Sequence, residues 1–389
     1  MIGCSLKLFV MTDKKLYFYY VLYVVISVVT AAPFFIVFFS EYSISLILSY
    51  SLLLVFLAFS IEAFGLRRAD ILSNNLLWLL PIVGLGLLNI LLYPGTRLVP
   101  NPSSAPSALI EPAVALFYNR LNPYSIRIFD GAPISPGPGW ILLNSPLLLG
   151  GLITILTPIY LFFSGLILAS LYKATYALIY IILVLASLNF LQMSIIGHDL
   201  PAIILAFVGL TLALNFYYKD NIYFIVIAIL VGIVATARVP FVIFPIALSI
   251  CLVKIDYIRA KVFLIISVGV TVTIHIIFWV WAYDQGVFYQ PLHVIGRAAH
   301  GGSLIILFLG VLTWAVFGWY RWLCLTECPS TWMFFLWAVL SIPFIFVGIN
   351  ELLSNGFLYL KAWQTWEGKG YIMFTLPLLI AGLVLSEKK

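Results

Sequence analysis

The chain has 389 residues, of which 64% are hydrophobic and only 9% are charged, and its mean hydropathy is +1.15. This composition excludes a soluble globular protein, which needs far more polar surface. The formal net charge of +6 comes from basic residues placed singly at the ends of apolar runs. That distribution is typical of membrane proteins and differs from the clustered basic surface of nucleic-acid-binding proteins.

Apolar runs of about 18 or more residues are long enough to cross the hydrocarbon core of a bilayer. Taken in chain order, and with boundaries uncertain by several residues, the predicted spans are 16–39, 44–64, 76–93, 141–171, 174–194, 200–217, 222–236, 240–253, 262–283, 304–320, 332–349 and 371–385. The first run is too long for a signal-peptide core and is read as a retained anchor. The sequence therefore predicts an all-α, polytopic membrane protein of about 11–13 spans, forming one transmembrane domain over 1–389.

Two of these regions are irregular. The 141–171 run is overlong and is interrupted by Gly150 and Gly151, which predicts a re-entrant piece followed by a span. The 222–236 and 240–253 runs are short and meet at a hinge that contains Arg238. Short helices interrupted by proline are tolerated at membrane depth only where they pack inside the protein or line a cavity.

If the chain crosses the membrane at each predicted span, successive loops lie on alternate faces. On this assumption 13 of the 20 Lys and Arg residues lie on one face and 7 on the other. The positive-inside rule makes the first face cytoplasmic and places both termini there. The 94–140 loop, between the third and fourth spans, then lies on the extracytoplasmic face together with the hinge at Arg238. A carrier would place its key groups near the midplane and show related halves, and no convincing internal repeat is visible.

Two carboxylates of the 94–140 loop are the candidate catalytic residues. Glu111 lies in a predicted short amphipathic helix, and a partly desolvated Glu has a raised pKa suited to a general base; the alternatives are a solvated carboxylate or a helix cap. Asp130 precedes Gly131 in a pattern typical of a turn. The Pro- and Gly-rich segment 133–139 is predicted to be non-helical and stiff, which would fix the depth of Asp130 and make it a rival base or a group that orients the sugar.

The candidate substrate-binding residues are polar or aromatic groups of the same face: Asn122, Tyr124, Arg127, Trp140, His198, Asp199, Arg238, Arg297 and His300. The planar guanidinium of Arg238 suits a lipid phosphate, with snorkelling to headgroups as the alternative. Asp199 is equally suited to capping the next helix. Trp140 is first of all an interfacial anchor. Arg297 and His300, with Tyr289 and His293, form a second cluster able to bind a phosphate.

No metal or cofactor is expected, although a divalent cation stays open. Cys324 and Cys328 have no histidine near them, which argues against a zinc site. The chain has no Asp-x-Asp, Walker-type, Gly-x-Ser-x-Gly or His-Glu-x-x-His motif. Their absence argues against metal-dependent nucleotide-sugar binding, ATP hydrolysis, and serine or zinc hydrolysis.

Three segments occur in an order that resembles a known family. A carboxylate followed by ALFYNRLNPY looks like the first outer loop of the C-type (GT-C superfamily) integral-membrane glycosyltransferases, in the branch that uses polyprenol-phosphate-mannose. GHDLPAIILAFVGLTLAL is similar to the helix that follows a polar outer turn in those enzymes, and TARVPFVIFPIAL resembles their basic hinge. The resemblance covers 111–253 best.

The chain departs from the family in two respects. The acidic residue of the family often lies a few residues earlier, where this chain has only Ser103, Ser104 and Ser107. Two additional predicted spans also precede the loop. These departures keep Asp130 as a rival to Glu111.

The resemblance implies an inverting, mannosyltransferase-like transfer of a monosaccharide from a polyprenyl-phosphate-linked donor to a hydroxyl of a lipid or glycan acceptor. Glu111 would be the base and basic residues would bind the phosphate. The expected partners are these substrates and membrane lipids, with no nucleic acid. A flippase or transporter of lipid-linked saccharides, an O-antigen polymerase or ligase, and a non-catalytic subunit are the alternatives.

Overall fold

The computed structural model describes residues 13–39, 41–61, 76–99, 103–131, 133–292, 304–354 and 368–386. Every regular element in this part of the chain is helical, so the predicted all-α class is confirmed. In chain order the α-helices are α1 Asp13–Phe38, α2 Ser43–Ser60, α3 Leu79–Arg97, α4 Ser107–Phe117, α5 Pro138–Leu149, α6 Leu156–Leu171, α7 Ala174–Leu185, α8 Leu188–Ile195, α9 Leu200–Tyr217, α10 Asn221–Ala235, α11 Ile243–Val253, α12 Tyr257–Asp284, α13 Leu304–Leu323, α14 Pro329–Ser354, α15 Gly368–Phe374 and α16 Leu376–Ser386. Short 3₁₀ helices occupy Ile153–Ile155, Val239–Val242 and Gln290–Leu292.

Several of these helices are long and apolar enough to cross a membrane. Within the described ranges 7 helices satisfy this condition, or up to 8 when the bent pair α7 and α8 is taken as one span. Some of the predicted runs, such as 222–236, form apolar helices of 10–17 residues instead. Outward-facing side chains on the long helices are apolar, as in Leu52 and Phe56, each 70% exposed, and Leu91, 74% exposed. Such surfaces are expected where lipid replaces water.

The breaks within the apolar runs lie where glycine and proline predict them. Helix α5 ends at Leu149, and Gly151 follows with a φ of +70°, a backbone conformation that favours glycine. Helix α10 ends at Ala235, and Arg238 precedes the 3₁₀ turn that leads into α11, so the predicted hinge is confirmed. The 81° bend between α7 and α8 was not predicted from the sequence.

The described helices form two compact units, and the single domain proposed for 1–389 stays a prediction. The first unit comprises 1–82, 162–192 and 301–389. Its α1 packs through Tyr19, whose ring stacks on that of Phe334 with centroids 4.1 Å apart. The hydroxyl of Tyr23 donates a hydrogen bond to the carbonyl of Leu183 at 3.0 Å. The Arg321 guanidinium lies 5.5 Å from the centroid of the Phe334 ring, within the range of a cation–π contact.

The second unit comprises 83–161 and 193–300, and it contains every candidate site residue that the structure describes. Its frame is α10, α11 and α12, which pack on one another. The side chains of Asp220 and Asp256 accept hydrogen bonds from backbone N–H groups at the starts of α10 and α12, which fixes where these two helices begin.

Helices α10 and α12 approach closely at Gly232. The Thr271 hydroxyl donates to the carbonyl of Gly232 at 2.9 Å. A Cβ atom placed on Gly232 would lie 2.5 Å from the carbonyl oxygen of Ser267 and 2.8 Å from Cβ of Val270. The absence of a side chain at this position therefore permits the packing of the two helices.

We expect Gly232→Ala to lower the free energy of unfolding by about 1–3 kcal/mol, because the added methyl group overpacks the interface of α10 and α12. Gly269→Ala is the matched control, since Gly269 also lies inside a helix but has open space around its Cα. Alanine should be neutral there, or stabilise by up to about 1 kcal/mol. Denaturant titration of the purified variants in mixed micelles measures both changes, and equal effects would contradict the close approach.

Candidate functional site

Glu111 lies on a short helix between apolar helices, as the sequence predicts. The helix is α4, Ser107–Phe117, and it buries Leu109, Ala113 and Ala115. Glu111 itself is partly buried. Its carboxylate is therefore neither fully solvated nor sealed inside the core.

The surroundings of Glu111 set its protonation. Burial is the largest influence and raises the pKa of Glu111, and the nearby charge of Asp130 also raises it. A hydrogen bond from Ser107 and the positive charge of Arg97 act in the opposite direction, but the net pKa lies above the ordinary value of a glutamate. The charge of Asp130, the other carboxylate proposed from the sequence, thus reaches Glu111.

Arg97 is part of this cluster and was not identified from the sequence, which placed it only among the charges of one face. It lies in the last turn of α3, and its Nη1 donates to the carbonyl of Ser103 at 2.6 Å. Its guanidinium lies 5.7 Å from the centroid of the Phe129 ring, next to Asp130 in the chain. The sequence does contain a signal for Arg97: it is a basic residue at the end of the apolar run that leads into the loop of Glu111 and Asp130.

The segment around Asp130 is a turn, which confirms the Asp-Gly prediction. Gly131 has a φ of +77°, and its N–H donates to the carbonyl of Ile128 at 2.7 Å. Arg127 is exposed, and its Nη1 donates to the carbonyl of Gly131 at 3.2 Å. Asp130 is exposed at the tip of this turn.

The Asn-Pro-Tyr sequence forms a buried turn. Asn122 and Tyr124 are both fully buried. The Oδ1 atom of Asn122 accepts from the N–H of Tyr124 at 2.9 Å, and the Tyr124 hydroxyl donates to the carbonyl of Pro136 at 3.0 Å. In this conformation both residues stabilise the loop and do not offer an open surface to a substrate.

The Pro- and Gly-rich segment ends on the hinge between α10 and α11. The N–H of Gly137 donates to the carbonyl of Ala237 at 3.1 Å, and a Cβ on Gly137 would lie 1.7 Å from the carbonyl oxygen of Thr236. Helix α5 begins at Pro138, so the prediction that 133–139 is entirely non-helical was wrong at its end. Proline fits the first turn of a helix because its missing N–H would have no partner there.

Trp140 is fully buried, which replaces the prediction of an interfacial anchor. Its backbone N–H donates to Oγ1 of Thr236 at 3.1 Å, and its ring lies 5.3 Å from that of Tyr160. The indole Nε1 is buried and has no hydrogen-bond partner among the residues that the structure describes. Trp140 therefore packs the start of α5 in the second unit.

Asp199 and Arg238 form a buried ion pair. Nη2 of Arg238 lies 2.8 Å from Oδ1 of Asp199, and the two residues are 7% and 1% exposed. Asp199 occupies the N-cap position of α9, but its side chain makes no capping hydrogen bond, so the alternative capping role is wrong. The pairing of two residues 39 positions apart had no signal in the sequence.

The charges around Asp199 outweigh the effect of its burial. Burial alone would raise the pKa of Asp199, but Arg238 and then His198 stabilise the carboxylate and lower this pKa to about 2. His198 is partly exposed, and its Nδ1 lies 3.2 Å from Oδ1 of Asp199. The same Nδ1 atom lies 3.2 Å from the backbone nitrogen of Leu200. The N–H of Leu200 donates to Nδ1 only in the tautomer in which Nδ1 carries no proton.

Two further polar residues were missed. Gln290 is buried and binds three backbone groups of the loop that contains Asp130. His275, on α12, has its Nδ1 2.6 Å from the hydroxyl of Tyr289. Arg297 and His300, predicted as phosphate ligands, lie outside the described residues. Among the described residues no group of three His, Cys, Asp or Glu could bind a metal ion.

We expect the Asp199–Arg238 pair to show strong energetic coupling. Asp199→Asn or Arg238→Met alone leaves one buried charge without its partner, so each should lower the free energy of unfolding by about 3–5 kcal/mol. The double variant removes both charges and should lose clearly less than the sum of the two. Detergent-denaturation curves of the four proteins complete the cycle, and additive losses would show that the ion pair is not a stabilising unit.

Comparisons of this chain with protein-family models, with curated proteins and with solved structures find no match.

Proposed function

We propose that this chain is an integral-membrane glycosyltransferase that moves a monosaccharide from a polyprenyl-phosphate donor to an acceptor hydroxyl, in the manner of the mannosyltransferase-like enzymes its sequence resembles. The main supporting observation is the partly buried carboxylate of Glu111, with Asp130 and Arg97 in its electrostatic environment. Glu111 and Asp130 belong to a helix and a loop that connect apolar helices, and Arg97 ends the apolar helix that leads into them, where an amphiphilic donor from the bilayer can meet a polar acceptor.

In the proposed reaction Glu111 takes the proton of the acceptor hydroxyl while the hydroxyl oxygen attacks the anomeric carbon. The bond between the anomeric carbon and the phosphate oxygen breaks, and polyprenyl phosphate leaves with the bonding electron pair. Attack opposite to the leaving group inverts the configuration. A general base of raised pKa suits this step, because it binds the proton more strongly than an ordinary carboxylate does.

The departing phosphate needs a cation. Asp199 already compensates the charge of Arg238, which makes Arg238 less suited to this role than its sequence position indicated. Arg97 is partly exposed and acts electrostatically on Glu111. A guanidinium carries five N–H donors in a planar fork that matches phosphate oxygens. We therefore assign Arg97 to the phosphate, with Arg297 and His300 as further ligands predicted from the sequence.

From the positive-inside distribution of the sequence we further propose that the site lies on the extracytoplasmic face and that both termini lie in the cytoplasm. The donor is activated by its lipid phosphate, so the proposed reaction consumes no nucleotide. In the proposal given above Glu111 is the base, and Asp130 acts on it only through its charge. In the alternative that the sequence leaves open, Asp130 is itself the base.

We expect Glu111→Gln to reduce transfer by roughly a hundredfold to ten-thousandfold, the usual contribution of a general base. Transfer by the wild type should rise with pH through the raised pKa of Glu111, because only the ionised carboxylate accepts a proton. Asp130→Asn removes a neighbouring negative charge and should move this acidic limb to lower pH while transfer persists. The measurement is transfer from a panel of labelled polyprenyl-phosphate sugars by purified protein, from pH 4 upward.

Asp284→Asn is the control, since Asp284 is an exposed carboxylate at the end of α12 in the same unit; it should leave the pH profile unchanged. Loss of transfer in Asp130→Asn with activity retained in Glu111→Gln would make Asp130 the base. Movement of intact lipid-linked sugar across a vesicle membrane without bond cleavage would replace the transferase by a transporter.

A further inference from the structure

Gln290 closes the neck of the loop that contains Asp130. Its Oε1 accepts from the N–H of Ile134 at 2.5 Å, and its Nε2 donates to the carbonyls of Tyr124 and Ile126 at 2.7 Å each. The side chain is only 7% exposed. One amide thus binds the backbone on both sides of the residues 127–133.

These three bonds replace those of regular structure. A buried backbone N–H or carbonyl without a partner is costly, and the described part of 121–137 forms no helix or strand that would pair such groups. A glutamine has both a donor and an acceptor, so it can bind a carbonyl and an N–H at once. Here it joins two points eight positions apart in the chain, Ile126 and Ile134.

Gln290 itself is held in place by its neighbours. It follows Tyr289, which is 4% exposed and whose ring lies edge-on to that of Tyr124 with centroids 4.9 Å apart. The Tyr289 hydroxyl is 2.6 Å from Nδ1 of His275 on α12. Tyr124 and Tyr289 belong to one buried cluster with Ile128 and Ile134. The amide is therefore fixed to the end of α12, and the loop is fixed to the amide.

We propose that Gln290 is a positioning residue for the transfer reaction: its side-chain amide closes the neck of the 126–134 loop and so fixes the turn that carries Asp130, whose charge acts on Glu111. This inference rests on the proposed function in so far as Glu111 is the reacting carboxylate. Gln290 makes no contact with substrate in this proposal and acts through the loop alone.

The proposal predicts a change at Glu111 together with faster exchange confined to the loop, a combination that loosening of the whole unit does not produce. Burial has the largest effect on the pKa of Glu111, followed by Ser107 on its own helix, Asp130 on the loop and Arg97 on α3. Release of the neck lets Asp130 move away while Ser107 and the end of α3 stay in place. The pKa of Glu111 should then fall, as it should when Asp130 is replaced by asparagine.

The test compares Gln290→Met with Asn89→Leu in purified protein reconstituted in nanodiscs. Both changes remove a buried amide of the second unit and keep most of its volume. Asn89 donates to the carbonyl of Thr154 and to the hydroxyl of Ser194, both at 2.9 Å, and these partners lie outside the loop. One measurement is hydrogen exchange of backbone amides over 126–134. The other is the pH dependence of Glu111 labelling by a hydrophobic carbodiimide, which reacts with protonated carboxyl groups.

We expect Gln290→Met to speed exchange over 126–134 on the order of tenfold, because the neck loses its three bonds. The midpoint of Glu111 labelling should move to lower pH, in the same direction as in Asp130→Asn. Asn89→Leu should change neither. Unchanged exchange in the loop, an unchanged labelling midpoint, or faster exchange throughout the unit in both variants would each overturn the positioning role.

Neither measurement requires a sugar donor. A wild-type protein that transfers no sugar therefore refutes the proposed function, while the exchange and labelling results still decide whether Gln290 fixes the turn that carries Asp130.

Discussion

The organisation of the second unit depends on the pairing of irregular backbone with side chains. Between Phe117 and Pro138 the described chain forms no regular element, yet much of it is buried. Its polar groups are bound by Gln290, by Asn122 within the loop, and by the hydroxyl of Tyr124. Irregular backbone beside apolar helices persists only when such partners are present. The position of Asp130 follows from this requirement.

The buried ion pair imposes a second constraint on the same unit. Arg238 precedes the 3₁₀ turn between α10 and α11, and Asp199 precedes α9, so their contact joins the ends of separate helices. Desolvation of two charges costs several kcal/mol per ion, and only close pairing offsets it. Arg238, which the sequence predicts as a phosphate ligand, is therefore already paired with a carboxylate of the protein. Arg97, by contrast, is partly exposed and acts electrostatically on Glu111.

Most of the helical architecture could be predicted, because apolar periodicity, glycine and proline act locally. The short helix around Glu111, the break at Gly150–Gly151 and the hinge at Arg238 are all of this kind. The contacts of Arg238 with Asp199 and of Gln290 with Ile126 could not be predicted, since they join residues far apart in the chain and no local pattern encodes the partner. The burial of Trp140 was not predicted for the same reason. The local sequence around an aromatic residue next to a polar loop is the same whether its ring faces lipid headgroups or a neighbouring helix.

The carbonyl of Ala237 accepts from both the Gly137 N–H and Nη1 of Arg238. A carbonyl oxygen has two lone pairs, and here both are used. The carbonyl of Ala237 therefore has no lone pair left for water. Where a helix breaks, the backbone groups it frees must find partners among neighbouring groups or water; at Ala237 a guanidinium and a glycine N–H are those partners, so this carbonyl does not depend on solvent.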